Sequence, residues 1–261
     1  MIEFKILRSI ILLNLSLFLI SFPQTSRNSN QQSDNNKQSD PKAIRIATEV
    51  MGAMGGKKNW DNTHFISWNF FGRRLHVWDK WSGDLRFEKN NLIVLMNLNT
   101  HTGHAWQNGV EVTQPDSLKK KLDDTYTYWI NDSYWMFMPY KLKDPGVILK
   151  YIGEGVTLEG KSVDILQLTF EDVGLTPQNK YHVYVDKNSY LVIQFDYFRN
   201  ASDDKPTIQA PWQGWKKYGH ILLSDDRGKN RKMTDVAVFD KLPQKIFINP
   251  EPINIDQFIK R

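Results

Sequence analysis

The chain has 261 residues, of which 40% are hydrophobic and 24% are charged, as is usual for a globular protein large enough to bury a core. It has no cysteine, which excludes disulfides, thiolate metal sites, a cysteine nucleophile and lipid attachment through cysteine. The net charge of +5 is small, and no run of Lys and Arg is long enough to follow a nucleic-acid backbone. Nucleic acid is therefore not an expected partner.

The N-terminus predicts export. Lys5 and Arg8 precede an apolar run over residues 10–22, and a basic start followed by about 13 apolar residues is typical of a secretory signal. We predict that residues 1–24 form a signal peptide or an uncleaved signal anchor, the protein's only link to a membrane. The almost entirely polar residues 25–40 are predicted to form a disordered linker. The expected location is the periplasm or cell envelope.

A helix is predicted directly after the linker. Asp40 and Pro41 form a helix-start signal, with a capping carboxylate before proline at the first helical position. Over residues 41–54 the apolar side chains cover a wide face. Gly55-Gly56 then ends the helix. A face this wide indicates that the helix lies on a sheet or in a groove.

From residue 64 onwards, side chains of different character alternate with a period of two residues, which is typical of strands. Asn108-Gly109 marks a tight hairpin, and residues 225–231 are expected to form a polar loop. Antiparallel strands are predicted in two series, at 64–71, 73–80, 84–88 and 92–98, and then at 147–152, 161–170, 180–186, 191–198, 212–224 and 232–239.

Between the two series lies a second helical segment. It begins at Pro115 and places Leu118, Leu122 and Trp129 on one face. Residues 131–140, which follow, have neither a helical nor a strand period. No internal repeat and no second linker occurs in the sequence, so residues 41–261 are predicted to form one domain.

The sequence contains no common catalytic motif. It has no G-x-S-x-G elbow, no phosphate-cradling glycine loop and no H-E-x-x-H pair, so no catalytic residue and no cofactor is predicted. His101 and His104 form the only close histidine pair, and we expect a solvated loop pair rather than a metal site. The best catalytic contact available is His182 with Asp186 on one strand face, although a surface pair at a hairpin end is expected.

Two segments, 129–140 and 212–218, are rich in aromatic side chains and methionine. Such side chains often form ordinary core. They also line adaptable apolar cavities, because thioethers and flat rings fit irregular ligands. The residues predicted to contact an apolar ligand are Trp129, Trp135, Phe137, Met138, Tyr140, Trp212 and Trp215.

The run from Asn131 to Leu142, NDSYWMFMPYKL, resembles the signature of an uncharacterised family of exported Gram-negative proteins. Gly55-Gly56 with Trp60, the segment 181–186 and the segment 215–224 resemble that family too, so the likeness covers about residues 42–250. The family is remotely similar to LolA-like and RseB-like lipoprotein-carrier proteins. The resemblance implies an α+β fold in which a strongly curved antiparallel sheet, an incomplete barrel, wraps helices over an apolar cavity.

From the sequence we therefore predict non-catalytic binding of a lipid, acyl chain or lipoprotein in a cavity between curved sheet and helices. One alternative is a hydrolase with a His/Asp site at the cavity mouth. The other is an envelope protein-interaction or stress-sensing module that uses the same groove for a peptide.

Overall fold

The computed structural model describes residues 39–171 and 173–258. The predicted signal segment and nearly all of the predicted linker lie outside these ranges. In chain order the elements are α1 (Pro41–Ala53), α2 (Lys57–Asn62), β1 (Phe65–Phe70), β2 (Arg74–Asp79), β3 (Asp84–Lys89), β4 (Leu92–Asn97), β5 (Thr102–Gln107), β6 (Val110–Glu111), α3 (Pro115–Phe137), a 3₁₀ helix (Met138–Lys141), β7 (Val147–Val156), β8 (Ser162–Phe170), β9 (Lys180–Asp186), β10 (Val192–Phe198), β11 (Ile208–Pro211), β12 (Gln213–Tyr218), β13 (Ile221–Asp226), β14 (Thr234–Phe239), α4 (Lys245–Ile248) and a second 3₁₀ helix (Ile255–Phe258).

The strands form three antiparallel sheets. The first has the order β14-β1-β2-β3-β4-β5-β6, the second β11-β10-β9-β8-β7, and β12 pairs with β13. The β12-β13 hairpin connects the larger sheets, because the Trp212 amide donates to the Ile193 carbonyl (2.9 Å) and the Met233 amide donates to the Asp225 carbonyl (2.7 Å). The predicted α+β class with open antiparallel sheets is confirmed, although the strands divide into three sheets rather than one.

The first helix forms as its start signal predicts. Asp40 Oδ1 accepts a hydrogen bond from the Lys42 amide at 2.7 Å, and Pro41 occupies the first turn. Ala43, Ile46 and Val50 are among the side chains that α1 buries. The helix ends at Ala53, and Gly55 follows with a φ of +110° at a position where a Cβ would lie 2.4 Å from the His220 carbonyl oxygen. Only glycine fits this contact between the end of α1 and the β12-β13 turn.

The segment 131–140, expected to be irregular, is helical. It forms the last turns of α3 and then the 3₁₀ helix. The helical period is hidden because Asp132, Met136, Phe137 and Met138 are all buried, so this end of the helix has little exposed face to alternate with a buried one. The predicted apolar face around Leu122 packs on the first sheet, as expected.

Both faces of the first sheet are covered. Helix α3 lies on one face, and the chain after β14 covers the other with Ile246 and Ile255. Arg86 is fully buried beneath this C-terminal segment and donates to the carbonyls of Ile246 (3.0 Å) and Asn249 (2.7 Å). In the described ranges, no helix combines the length and apolar character that crossing a bilayer requires.

Several elements differ from the sequence prediction, among them the short helix α2, which was not predicted. The hairpin predicted at Asn108-Gly109 forms between β5 and β6. No bounds were predicted for β5, because Thr102–Gln107 has little apolar alternation, and the short strand β11 was missed. The segment predicted at 212–224 is two strands, since the chain turns at Gly219 and His220 between β12 and β13. These differences leave the order of helices and sheets unchanged.

Candidate ligand-binding cavity

Three of the predicted ligand-contacting residues lie in the packed core. Phe137, Met138 and Tyr140 are all buried. The Tyr140 hydroxyl lies 2.9 Å from the Met54 carbonyl and 2.8 Å from the Leu222 carbonyl, and burial raises the pKa of Tyr140. This hydroxyl therefore joins the end of α1 to β13, and a ligand would reach these three side chains only if the helices moved.

Trp129 and Trp135 are half-buried at separate places along α3. Trp129 contacts Trp78 edge to face, with ring centroids 5.5 Å apart. Trp135 stands perpendicular to Phe195, with ring centroids 5.0 Å apart. Neither indole belongs to the cavity described next, and their contact with a ligand stays a prediction.

Trp212 and Trp215 line an apolar cavity of about 320 Å³. The loop 157–161 forms one wall, and the corner between β11 and β12 forms the other. The Trp215 indole is fixed by a hydrogen bond from its Nε1 to the Val192 carbonyl at 2.9 Å. The lining residues are Thr157, Leu158, Glu159, Lys161, Ile193, Gln194, Pro211, Trp212, Gln213, Gly214 and Trp215.

Polar groups hold the wall of this cavity in place. Gln194 is buried, and its Oε1 accepts a hydrogen bond from the Leu158 amide at 2.8 Å. At the rim, Gln213 Nε2 donates to Glu159 Oε1 at 2.7 Å. Leu158 itself is 65% exposed. The cavity thus combines an aromatic floor, a polar rim and an exposed apolar side chain at its edge.

A buried ionic network, which sequence reasoning missed, joins α3 to the first sheet. Asp132 is fully buried and receives Arg74 Nε at 2.6 Å and Arg74 Nη2 at 2.8 Å. His76 Nε2 lies 2.8 Å from Asp132 Oδ2, and Trp68 stacks on the histidine ring at 4.6 Å. Two features of the sequence could have indicated this network. Asp132 lies within a run of aromatic side chains, and Arg74 and His76 are two residues apart in β2, so their side chains lie on the same face of the strand.

The network favours a neutral histidine beside an ionised aspartate. Burial lowers the pKa of His76 despite the neighbouring carboxylate. Burial would raise the pKa of Asp132, but hydrogen bonds from His76 and Arg74 outweigh it and lower that pKa. His76 Nδ1 has no hydrogen-bond partner among the residues described. A buried carboxylate that accepts hydrogen bonds from an arginine and a histidine of β2 holds α3 on the first sheet.

We expect stability to depend on pH through His76. Its folded pKa lies below the unfolded value of about 6.5, so its contribution is present above about pH 6.5 and decreases as the pH falls through that value. The free energy of unfolding should therefore decrease between about pH 7 and about pH 5, and His76→Gln should flatten the slope. Urea titrations at several pH values check this. His220→Gln, at an exposed position, is the control; an unchanged slope in His76→Gln would contradict the assignment.

The histidine pair His101 and His104 and the contact between His182 and Asp186 were the other candidate sites in the sequence. His104 Nδ1 pairs with Glu111 at 2.9 Å on the surface, and His104 lies in β5 rather than in a loop. Asp186 accepts hydrogen bonds from Asn188 and Ser189 within its hairpin turn. No group of three metal-ligating side chains occurs within 39–171 and 173–258.

A second cavity, of about 660 Å³, lies beside the β1-β2 turn. Its lining includes Arg73, Lys89, Glu88 and Asp235, charges of both signs. It does not match the apolar ligand that the sequence predicts.

No protein-family model and no curated protein matches the sequence. Among solved structures, a DUF1329 family protein from Desulfovibrio piger matches with a TM-score of 0.40 and 13% identity, over 80% of this chain and 98% of that one. A putative outer membrane lipoprotein-sorting protein domain from Vibrio parahaemolyticus matches with a TM-score of 0.37 and 9% identity, over 79% of this chain and 96% of that one.

MucB in complex with MucA(peri) matches with a TM-score of 0.25 and 11% identity, over 76% of this chain and 62% of that one. At TM-scores of 0.40 and below, these likenesses contribute nothing to the assignment of a ligand. Their descriptions name the two kinds of protein that the sequence resemblance indicated, a family known by a DUF number and lipoprotein-sorting proteins.

Proposed function

We propose that the protein binds an apolar ligand, a lipid or a single acyl chain, without catalysing a reaction. The supporting observation is the cavity at Trp212 and Trp215, with its aromatic floor and polar rim. Its volume of about 320 Å³ lies at the lower end of the range of about 300–1,000 Å³ that ligand pockets cover. One chain or one ring system fits such a volume, whereas a whole phospholipid does not.

The five residues on α3 and its 3₁₀ extension belong to a wider version of this proposal. Trp129, Trp135, Phe137, Met138 and Tyr140 would reach a ligand if α3 and its 3₁₀ extension moved away from the sheets on which they pack. We also propose, from the N-terminal sequence, that binding takes place in the periplasm or cell envelope.

Removing the Trp215 ring should weaken binding. We expect Trp215→Ala to reduce affinity for a dansyl-labelled undecanoate by about tenfold or more, because buried tryptophan rings dominate binding energy. Dansyl fluorescence during titration measures it. The matched control is Trp81→Ala, because Trp81 is 60% exposed and lies outside the cavity.

Two outcomes would contradict the proposal. One is that the unaltered protein does not bind the probe. The other is that Trp215→Ala and Trp81→Ala bind it with equal affinity, which would place the ligand elsewhere.

A second candidate function is the binding of an extended apolar peptide from an envelope protein. Strand β7 is an edge of the second sheet, and Ser39 and Asp40 cover its first half by hydrogen bonds to the backbone of Leu149. In its second half Ile152 and Val156 are exposed, as is Leu158 beyond it. An exposed apolar edge strand is the feature that strand addition uses. MucB, one of the similar proteins, forms a complex with MucA(peri). The two candidates differ in ligand, because a peptide would pair with β7 and an acyl chain would enter the cavity.

A further inference from the structure

The larger cavity, of about 660 Å³ beside the β1-β2 turn, differs in character from the cavity at Trp212 and Trp215. Among its lining residues only Leu75, Ile253 and Ile255 have apolar side chains. Its volume lies within the range of about 300–1,000 Å³ that ligand pockets cover. The cavity therefore has room for a small molecule, and its walls favour a polar one.

Two cations of the wall are held next to one tyrosine. The guanidinium carbon of Arg74 lies 4.8 Å from the Tyr128 ring centroid, and the Lys89 ammonium lies 4.4 Å from the same centroid. Lys89 Nζ also donates to the Tyr128 hydroxyl at 2.8 Å, and Arg74 is fixed by its two hydrogen bonds to Asp132. Both positive groups are thus positioned before a ligand arrives, which reduces the entropy that binding loses.

These cations keep donors that a ligand can reach. Arg74 uses Nε and Nη2 for Asp132, whereas its Nη1 has no partner among the described residues and, unlike the indole nitrogen of Trp68, is not closed off from solvent. Lys89 Nζ has two N–H groups besides the one that it donates to Tyr128. A third cation, Arg73, is exposed at the β1-β2 turn.

The lining also has an excess of positive charge. Its three cations share the cavity with two carboxylates, Glu88 and Asp235. Glu88 is compensated by the fully buried Arg86, whose Nε lies 2.6 Å from Glu88 Oε1. Asp235 is then the one lining carboxylate for both Arg73 and Lys89, so an anion placed between these cations would relieve their repulsion.

We propose that this cavity binds a small, water-soluble phosphate ester, with the phosphate oxygens between Arg73, Arg74 and Lys89. Guanidinium groups match the geometry of phosphate oxygens, and an ammonium adds a further charged donor. A phosphate monoester has a charge of about −1.5 to −2 at pH 7, which balances Arg73 and Lys89. The site is separate from the apolar cavity, so the inference does not depend on the function proposed above.

Isothermal titration calorimetry with glycerol 3-phosphate tests this inference, with glycerol as the uncharged counterpart that should not bind. We expect Arg73→Gln and Lys89→Gln each to weaken binding of glycerol 3-phosphate by about tenfold. Lys150→Gln is the matched control, because it removes an exposed cation from β7 in the second sheet and should leave the affinity unchanged.

A second readout needs no variant. In the unaltered protein, the side-chain ¹⁵Nε–¹H resonance of Arg74 should shift with glycerol 3-phosphate and not with glycerol, which would place the anion at this cavity. Absence of binding in the unaltered protein would overturn the inference. Equal affinities of Arg73→Gln and Lys150→Gln, with an Arg74 resonance that does not move, would overturn it as well.

A lipid headgroup is a second source of the same phosphate. Vesicles of phosphatidylcholine with and without phosphatidic acid distinguish it from a soluble ester. Binding to the phosphatidic acid vesicles but not to glycerol 3-phosphate, with loss of binding in Arg73→Gln, would overturn the soluble ligand and assign the cavity to a headgroup. Binding of the dansyl-labelled undecanoate is measured separately, so failure at this site is distinguishable from failure at the apolar cavity.

Discussion

Replacing Asp132 with alanine is expected to lower the free energy of unfolding by about 3–5 kcal/mol, because removing one member of a buried ion pair leaves the other charge uncompensated. Arg74 would lose both of its hydrogen bonds to the carboxylate, and His76 would lose its partner at 2.8 Å. Urea unfolding followed by circular dichroism measures the change. Asp132→Asn keeps the shape of the side chain and one acceptor oxygen, so its free energy of unfolding should lie between those of the unaltered protein and Asp132→Ala.

The control for this prediction lies on the same helix. Asp124 pairs with Lys120 one turn away, and both side chains are at least half exposed. Since exposed pairs contribute little, Asp124→Ala should leave stability nearly unchanged. A loss in Asp132→Ala no larger than the loss in Asp124→Ala would show that the network does not hold α3 on the first sheet.

Much of the fold could be predicted because its signals are local. The carboxylate and proline at the start of α1 lie next to the helix that they cap. Within the strand that contains Trp68, and within the strand that contains Val183, apolar and polar side chains alternate over a few residues. The antiparallel order of most strands follows from their short connections. Where the apolar alternation is weak, as in β5, only the following turn at Asn108-Gly109 could be predicted, because this strand is stabilised by pairing with β4 and by cover from α3.

The buried charges could not be predicted in the same way. Arg74 and Asp132 are 58 residues apart in the chain, and Arg227 and Trp135 are 92 apart. Arg227 lies in a polar segment of the sequence, which gives no sign that its side chain will be buried. Only the packing of α3 against the first sheet and against β13 brings these groups to their partners.

The lining of the candidate cavity was only partly predicted from the sequence. The spacing of Trp212 and Trp215 indicated an aromatic patch, and both residues line the cavity. The cluster on α3 has the same composition, but Phe137 and Met138 lie in the core. Composition does not separate the two cases, because apolar rings serve a core and a cavity equally well.

Arg227 was expected in an exposed polar loop, and the structure places it in the core instead. Its Nη2 donates to the Trp135 carbonyl at 2.7 Å and its Nη1 donates to Ser224 Oγ at 2.8 Å. Burial lowers the pKa of Arg227 to about 9, so the group remains charged near neutral pH. The guanidinium therefore joins the end of α3 to β13 while it lies against the ring of Trp212.

We expect Arg227→Met to lower the free energy of unfolding by about 2–4 kcal/mol, because methionine fills part of the space but leaves the Trp135 carbonyl without its donor. Arg227→Lys should recover only part of this loss, since an ammonium group cannot donate along the several directions that the guanidinium uses. Urea titration of the variants measures the loss. Arg231→Met is the matched control, because Arg231 is half exposed and 5.9 Å from the Trp135 ring centroid. Equal stability of Arg227→Met and Arg231→Met would mean that the buried guanidinium does not hold α3 against β13.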